Sequence, residues 1–281
     1  MGQTDFKIMR YSIAWLTDLH LNFVGLREVE VLCNAIRESG VDSVLITGDI
    51  ATSDNLCRYL DFLADHLRNQ IYFVLGNHDY YGSSIQKIDF EVGGRTMANR
   101  NLIWLSRADD LIELTPATCL IGHEGLADGR LGDPTGSQVD LNDYHRIKEL
   151  IQPTKDLRLA AQNKLGDEAA AWLKSQLAEA LKYYRNIIVA LHVPPFAEAC
   201  WHEGKNTDDN YLPHFGCKAT GDVLRSAMLA HPDVSMTVYC GHGHSVGYAE
   251  ILPNLKVFTG GAKYYYPCIT GIIELDQISK K

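Results

Sequence analysis

No stretch of this 281-residue chain approaches the ~18 consecutive apolar residues that a bilayer-spanning helix needs, so no membrane role is expected. The first residues, with Asp5, Lys7 and Arg10, lack the apolar core of a secretion signal, and a cytoplasmic location is expected. Thiol pairs are missing too. The seven cysteines (Cys33, Cys57, Cys119, Cys200, Cys217, Cys240 and Cys268) are odd in number and never spaced C-x-x-C. That pattern speaks against a disulfide framework or a thiolate zinc cluster, and fits reduced, mostly buried thiols. No low-complexity tract, repeat or Pro/Gly/Ser-rich linker divides the chain, which is therefore expected to form one domain over residues 1–281. A basic patch is lacking as well. With 26 Lys+Arg against 35 Asp+Glu the formal charge is −9, a field that repels long nucleic acid and acidic membranes unless something local and positive offsets it.

What is present is apolar material in regular bursts. A hydrophobic content of 46% suffices for one large core. Tyr11 to Leu16, Val41 to Ile46 and Ile71 to Leu75 read as strands, with helices over Leu26 to Ser39 and Asn55 to Arg68 between them. That rhythm implies βαβ units and parallel pairing. Two or three short β runs are expected between Leu102 and Gly122, then a loop over Gly129 to Gly136. Asp167 reads as the N-cap of a helix whose apolar stripe includes Leu173, Leu177 and Leu181. A buried strand over Asn186 to Leu191, an irregular stretch from Pro194 to Gly216, a helix over Thr220 to Ala230 and a β-rich end complete the pattern.

Polar clusters follow these apolar runs directly. Asp18 and His20 come after the first strand, Asp49 after the second, and Asn77, His78 and Asp79 after the third. His192 follows the Asn186 to Leu191 run, and His242 and His244 follow Val234 to Cys240. Sites in open α/β sheets form beyond the carboxyl ends of strands, so these groups are expected to converge on one rim. Hard carboxylates, neutral imidazoles and one amide, with no thiolate, suit Mn, Fe or Zn. Asp18, His20, Asp49, Asn77, His192, His242 and His244 are too many donors for one tetrahedral ion; they suit two divalent ions with a shared carboxylate, the arrangement of two-metal hydrolysis. Two dications outweigh two aspartates, giving a small phosphorylated substrate a local reason to bind an acidic protein. Gly48, Gly76 and Gly241 each precede a ligand and are expected to carry tight turns.

The series Asp18-x-His20, Gly48-Asp49, Gly76-Asn77-His78-Asp79, His192 and Gly241-His242-Gly243-His244 resembles the calcineurin-like metallophosphoesterase superfamily in order and rough spacing. The resemblance implies an α/β fold, a four-layer αββα sandwich of two mixed β-sheets flanked by helices. It implies one metal on Asp18, His20 and His244, a second on Asn77, His192 and His242, and Asp49 as the bridge. It also implies that His78 is catalytic at the leaving-group oxygen, oriented by Asp79. The expected activity is hydrolysis of a phosphodiester or phosphomonoester, leaning to a small-molecule or nucleotide phosphodiesterase. A nuclease, a protein phosphatase and a non-catalytic scaffold remain the alternatives at this point. So does a different dinuclear hydrolase, such as an amidohydrolase or a metallo-β-lactamase-like enzyme, although those would place H-x-H early in the chain or as H-x-H-x-D-H, and here it comes late. Roles for His123, Tyr80, Tyr81, Trp201, His202 and His214 stay open between pocket-shaping and packing.

Overall fold

In the computed structural model, which describes residues 8–278, the chain alternates strands and helices as its apolar periodicity requires. The first half runs β1 (Ile8–Leu16), α1 (Leu26–Ser39), β2 (Ser43–Thr47), α2 (Leu56–His66), β3 (Gln70–Val74), α3 (Ile85–Ala98), β4 (Leu102–Trp104), β5 (Ile112–Thr115) and β6 (Thr118–His123). It continues with α4 (Asp143–Arg146), α5 (Lys155–Tyr183), β7 (Asn186–Leu191), β8 (Trp201–His202), β9 (Lys205–Asn206), α6 (Leu212–Phe215) and α7 (Lys218–Ala230). The end is β10 (Ser235–Cys240), β11 (Gly247–Leu252), β12 (Leu255–Thr259) and β13 (Gly271–Ile278).

One sheet has the order β13-β1-β2-β3-β4, with β13 antiparallel to β1 and the rest parallel. The other has the order β11-β12-β10-β7-β6-β5, parallel at its centre and antiparallel at both edges. Alternation along each strand builds the layers. Ile13, Trp15, Leu45, Tyr72 and Val74 meet Leu120, Ile188 and Ala190 between the two sheets. The opposite faces, Ala14, Leu16, Val44, Ile46, Ile71 and Phe73, lie under α1, α2 and α3. Cys119, Ile121, Val189 and Val238 lie under α5 and α7, against Leu173, Leu177, Leu224 and Met228. This is the four-layer sandwich of two mixed sheets. The cysteines are free: five are buried, Cys57 is half-buried and Cys268 is exposed.

Besides short elements that the sequence reading did not expect (α4, and β8, β9 and α6 within the 194–216 stretch), two long helices depart from it. The helix expected to start at Asp167 begins a full three turns earlier, at a Thr154 cap whose hydroxyl accepts from Leu157 N at 3.3 Å. Asp167 sits inside α5 and pairs with Arg130 at 2.7 Å, so its carboxylate caps nothing. The sequence reading also passed over α3. Gly93 and Gly94 weaken its helical signal, and its apolar pattern is blurred because Ile88 and Val92 are buried while Phe90 and Met97 are exposed.

A candidate dinuclear metal centre

The carboxyl ends of β1, β2 and β3 deliver Asp18, His20, Asp49 and Asn77; those of β7 and β10 deliver His192, His242 and His244. Backbone bonds lock the loops together. Asp18 N donates to Gly48 O (3.0 Å), His20 N to Asp49 O (2.9 Å) and Gly241 N to His192 O (2.9 Å). Across the sheets, His242 N donates to both oxygens of Asp18, at 3.0 and 3.1 Å. All seven side chains come together on this rim. Asp18, His20, Asp49 and His244 each place a donor atom within 4.8 Å of the others. On the far side of Asp49, His192 Nε2 lies 2.9 Å and His242 Nδ1 3.0 Å from Asn77 Oδ1. Asp49 faces both groups: Oδ1 is 3.4 Å from His192 Nε2, and Oδ2 is 3.7 Å from His20 Nε2.

The backbone is strained here. Asp18, His20, Asp49, His242 and His244 all have positive φ, between 43° and 73°. A left-handed conformation costs a non-glycine residue roughly 1–2 kcal/mol, and such strain gathers where function holds it in place. The expectation that glycines carry the turns holds for Gly48, at φ 91°. Gly76 and Gly241 serve otherwise, by leaving room: a Cβ on Gly76 would overlap Asp49 Oδ1, and one on Gly241 would overlap Asp18 Oδ2.

Donor chemistry tests whether a cation fits. Asn77 Nδ2 donates to Asp143 Oδ1 (2.9 Å) and to Tyr81 Oη (3.1 Å), which turns Oδ1 toward the histidines. His192 Nδ1 donates to Thr47 O (2.9 Å), and His242 Nε2 to His214 O (3.1 Å). Carbonyls only accept, so each ring carries its proton away from Asn77 and points a lone pair at it. Burial holds both rings below the ordinary histidine value, His242 at about 4, and hence neutral. Three lone pairs therefore converge with no proton between them. Nearby, His20 Nε2 and His244 Nε2 stand 3.0 Å apart beside two carboxylates, and His20 Nδ1 is buried without a partner. Burial, with repulsion from Asp18 and Asp79, lifts the Asp49 carboxyl well above its usual range. Cations relieve each of these conflicts, and the residues fit them.

His78 lies at the rim, its side chain 17% exposed, with Nε2 3.9 Å from Asp49 Oδ2 and its ring stacked on Tyr81 at 4.3 Å. Its expected partnership with Asp79 is corrected by the structure. No hydrogen bond or ion pair joins the two side chains among the described residues. Asp79 is fully buried, and its oxygens accept from Ala51 N and Gly76 N, each at 2.8 Å. Asp79 is thus a positioning residue that ties the loop after β2 to the loop after β3. Burial, with His20 and His192 crowded beside it so that a further positive charge is disfavoured, pushes the His78 ring down to about 2, so it is neutral rather than held protonated.

His123 does not join the centre. Its ring packs on Trp172 at 5.4 Å, and the adjacent Glu124 is bound by Trp104 Nε1 (2.6 Å) and Ser106 Oγ (2.7 Å). Tyr80 is core, whereas Tyr81 stacks on His78 and donates to Asp143 at 2.5 Å. The 194–216 stretch flanks the site: Phe215 stands edge-on to His242 at 5.0 Å, and His202 pairs with His244 as a β-bridge. Sequence reasoning missed Asp143, Thr47 and the aromatic group Phe23, Tyr264 and Tyr265. Only the tyrosine run 264–266 left a visible signal.

The family model for calcineurin-like phosphoesterases matches residues 11–246. Among solved structures, the chain resembles a phosphopantetheinyl hydrolase from Mycobacterium tuberculosis (14% identity, TM-score 0.65, covering 92% of this chain and 95% of that one). It also resembles a dimetal phosphatase from Danio rerio (16%, 0.56, 89% and 87%) and a protein from Thermus thermophilus (16%, 0.53, 90% and 90%). At such identities these likenesses speak to fold alone. A comparison with curated proteins gave no match. Because the family model takes in every residue from Asp18 to His244, this chain belongs to the calcineurin-like phosphoesterase family and is a hydrolase of phosphoester bonds.

Proposed function

We propose that this chain, acting as one domain, is a small-molecule phosphodiesterase of the nucleotide-hydrolysing kind that works with two divalent ions (Mn, Fe or Zn). Asp18, His20 and His244 would hold one ion, Asn77, His192 and His242 the other, and Asp49 would be shared. The observation that carries this reading is the convergence of lone pairs at Asn77 Oδ1, with neutral imidazoles on both sides. When bound, such a pair of ions supplies Lewis-acid polarisation of a phosphoryl oxygen and a water acidified to near-neutral pKa.

The chain's own groups prepare the site. The Thr47 and His214 carbonyls fix the tautomers of His192 and His242, and Asp143 turns the Asn77 amide. Asp79 holds the two loops in register. His78, exposed at one edge and braced by Tyr81, is placed to hydrogen-bond an oxygen of the bound ester, and the leaving-group oxygen is the one where charge develops. The candidate ligands and His78 include no lysine or arginine, so the chain adds no fixed cation of its own for a second phosphoryl charge. That favours a monoanionic diester over a dianionic monoester, and the net charge of −9 disfavours long nucleic acid.

Manganese-supplemented turnover of bis(p-nitrophenyl) phosphate, p-nitrophenyl phosphate and a chromogenic lactam tests this. The diester should be cleaved fastest and the lactam not at all. Preference for the monoester overturns the diester assignment, and turnover of neither phosphate ester overturns the catalytic reading of the centre.

A further inference from the structure

Beside the centre lies an aromatic group that neither the ligand set nor the core requires. The Tyr264 ring packs 4.6 Å from His20 and 5.0 Å from His244. Phe23 meets Tyr264 edge-on at 5.1 Å and Tyr265 at 5.6 Å. These rings are nonetheless open to solvent: Phe23 is 42% exposed, Tyr264 37% and Tyr265 62%. Large aromatic side chains gain most from burial, so three that are linked through Phe23, lie beside the candidate centre and stay exposed form a surface with a partner still to come.

The backbone gives a second, independent sign. Tyr265 has φ 72°. For a bulky residue this conformation is an outlier, and glycine or asparagine would adopt it without that penalty. It is the one Phe, Tyr or Trp with positive φ among the described residues, and its ring rests on Phe23 rather than in the core. Strain held on an exposed side chain is consistent with a position that serves binding rather than stability.

We infer that Phe23, Tyr264 and Tyr265 form a stacking wall for a planar aromatic group carried by the phosphoester, a nucleobase, and so select nucleotide-type substrates. The inference rests on the phosphoesterase reading above and assigns to it the side chains that select the base. Phosphate at the centre and a ring on the wall are compatible because Tyr264 touches two of the proposed ligand rings directly, so one small molecule can reach both. Stacking of a base on aromatic side chains is sequence-tolerant, so the wall recognises a base without naming which one.

The test is calorimetric titration of the manganese-loaded protein with adenosine monophosphate and ribose 5-phosphate, monoesters of the kind that diester cleavage releases, and with adenosine, for wild type, Tyr265→Gly and Phe23→Ala. The nucleotide should bind about 10-fold tighter than ribose 5-phosphate, and that ratio should collapse toward unity in both variants. Tyr265→Gly should melt at or above wild type, because the strain is removed; a structural role for the ring predicts a lower melting temperature. Equal affinity for nucleotide and ribose 5-phosphate in wild type overturns the inference, as does a variant that weakens both alike. Should the phosphate reading itself fail, ribose 5-phosphate will not bind, yet adenosine will still bind wild type better than Tyr265→Gly if the wall is real. Adenosine binding to neither then overturns the wall as well.

Discussion

Replacing Asp49 with asparagine should have opposite effects with and without metal. In the metal-free protein Asp49 is a buried carboxylate, 1% exposed, whose charged form is disfavoured by burial and by Asp18 and Asp79. The amide keeps an acceptor for His78 N, which now donates to Asp49 Oδ1 at 2.9 Å, and removes the buried charge. Asp49→Asn should therefore melt within about 2 °C of wild type, or above it, when metal is chelated. With manganese at 100 to 1,000 times its dissociation constant, linkage adds about 2.7 to 4.1 kcal/mol to wild type. For a chain of this size that is a rise of roughly 5–10 °C. The variant lacks the shared carboxylate and should show less than half of that rise. Differential scanning fluorimetry with chelator and with manganese, beside metal analysis of the desalted protein, reads both quantities. A variant that keeps the full metal-induced rise would refute the sharing role of Asp49. A chelated variant melting about 10 °C below wild type would show instead that the carboxylate is structural.

Other perturbations follow from the same geometry. His78→Ala should lower kcat by about 100-fold or more while the protein retains its metal, as measured by turnover and elemental analysis. Gly76→Ala should abolish metal retention and lower the melting temperature, since the added methyl displaces Asp49 Oδ1 and the His192 ring. Glu124→Ala leaves Trp104 Nε1 and Ser106 Oγ buried without their acceptor and should cost about 3 kcal/mol in urea unfolding. Burial raises the Glu124 carboxyl, but His123, Arg107 and the Ser106 hydrogen bond outweigh it and leave its pKa below the ordinary 4.5. Its contribution is therefore fully present above pH 4.5 and lost as pH falls below that value, so wild type should lose more stability than Glu124→Gln between pH 5 and 3 (roughly the carboxylate range). Thr154→Ala should cost about 1 kcal/mol by removing the cap of α5, read as a lower melting temperature.

The strands that carry the candidate ligands were legible because buried strands of a parallel sheet read as short apolar runs, and ligands placed at their carboxyl ends follow those runs in sequence. Asp18, His20, Asp49, Asn77, His192, His242 and His244 could thus be named from order and residue type alone. The start of α5 was not legible, because Thr154 gives a weaker signal than the acidic Asp167, and the first turns of that helix carry a broken apolar stripe. The role of Asp79 was misread for a related reason. Adjacency in sequence suggested a partner for His78, but a tight turn sends successive side chains in different directions, and the carboxylate went to Gly76 N and Ala51 N.

By itself, then, the sequence determined the layer pattern, the set of candidate metal-binding side chains and the family, all of which depend on local periodicity and on residue chemistry at strand ends. Only the tertiary structure decided how those side chains act on one another. The tautomers of His192 and His242 depend on carbonyls of Thr47 and His214, and the orientation of Asn77 depends on Asp143, 66 residues away. The aromatic wall likewise joins Phe23 to Tyr264 and Tyr265 from opposite ends of the chain. Hydrogen bonds and ring contacts act over a few ångströms in space, and no spacing along a polypeptide encodes which distant residues will arrive within that range.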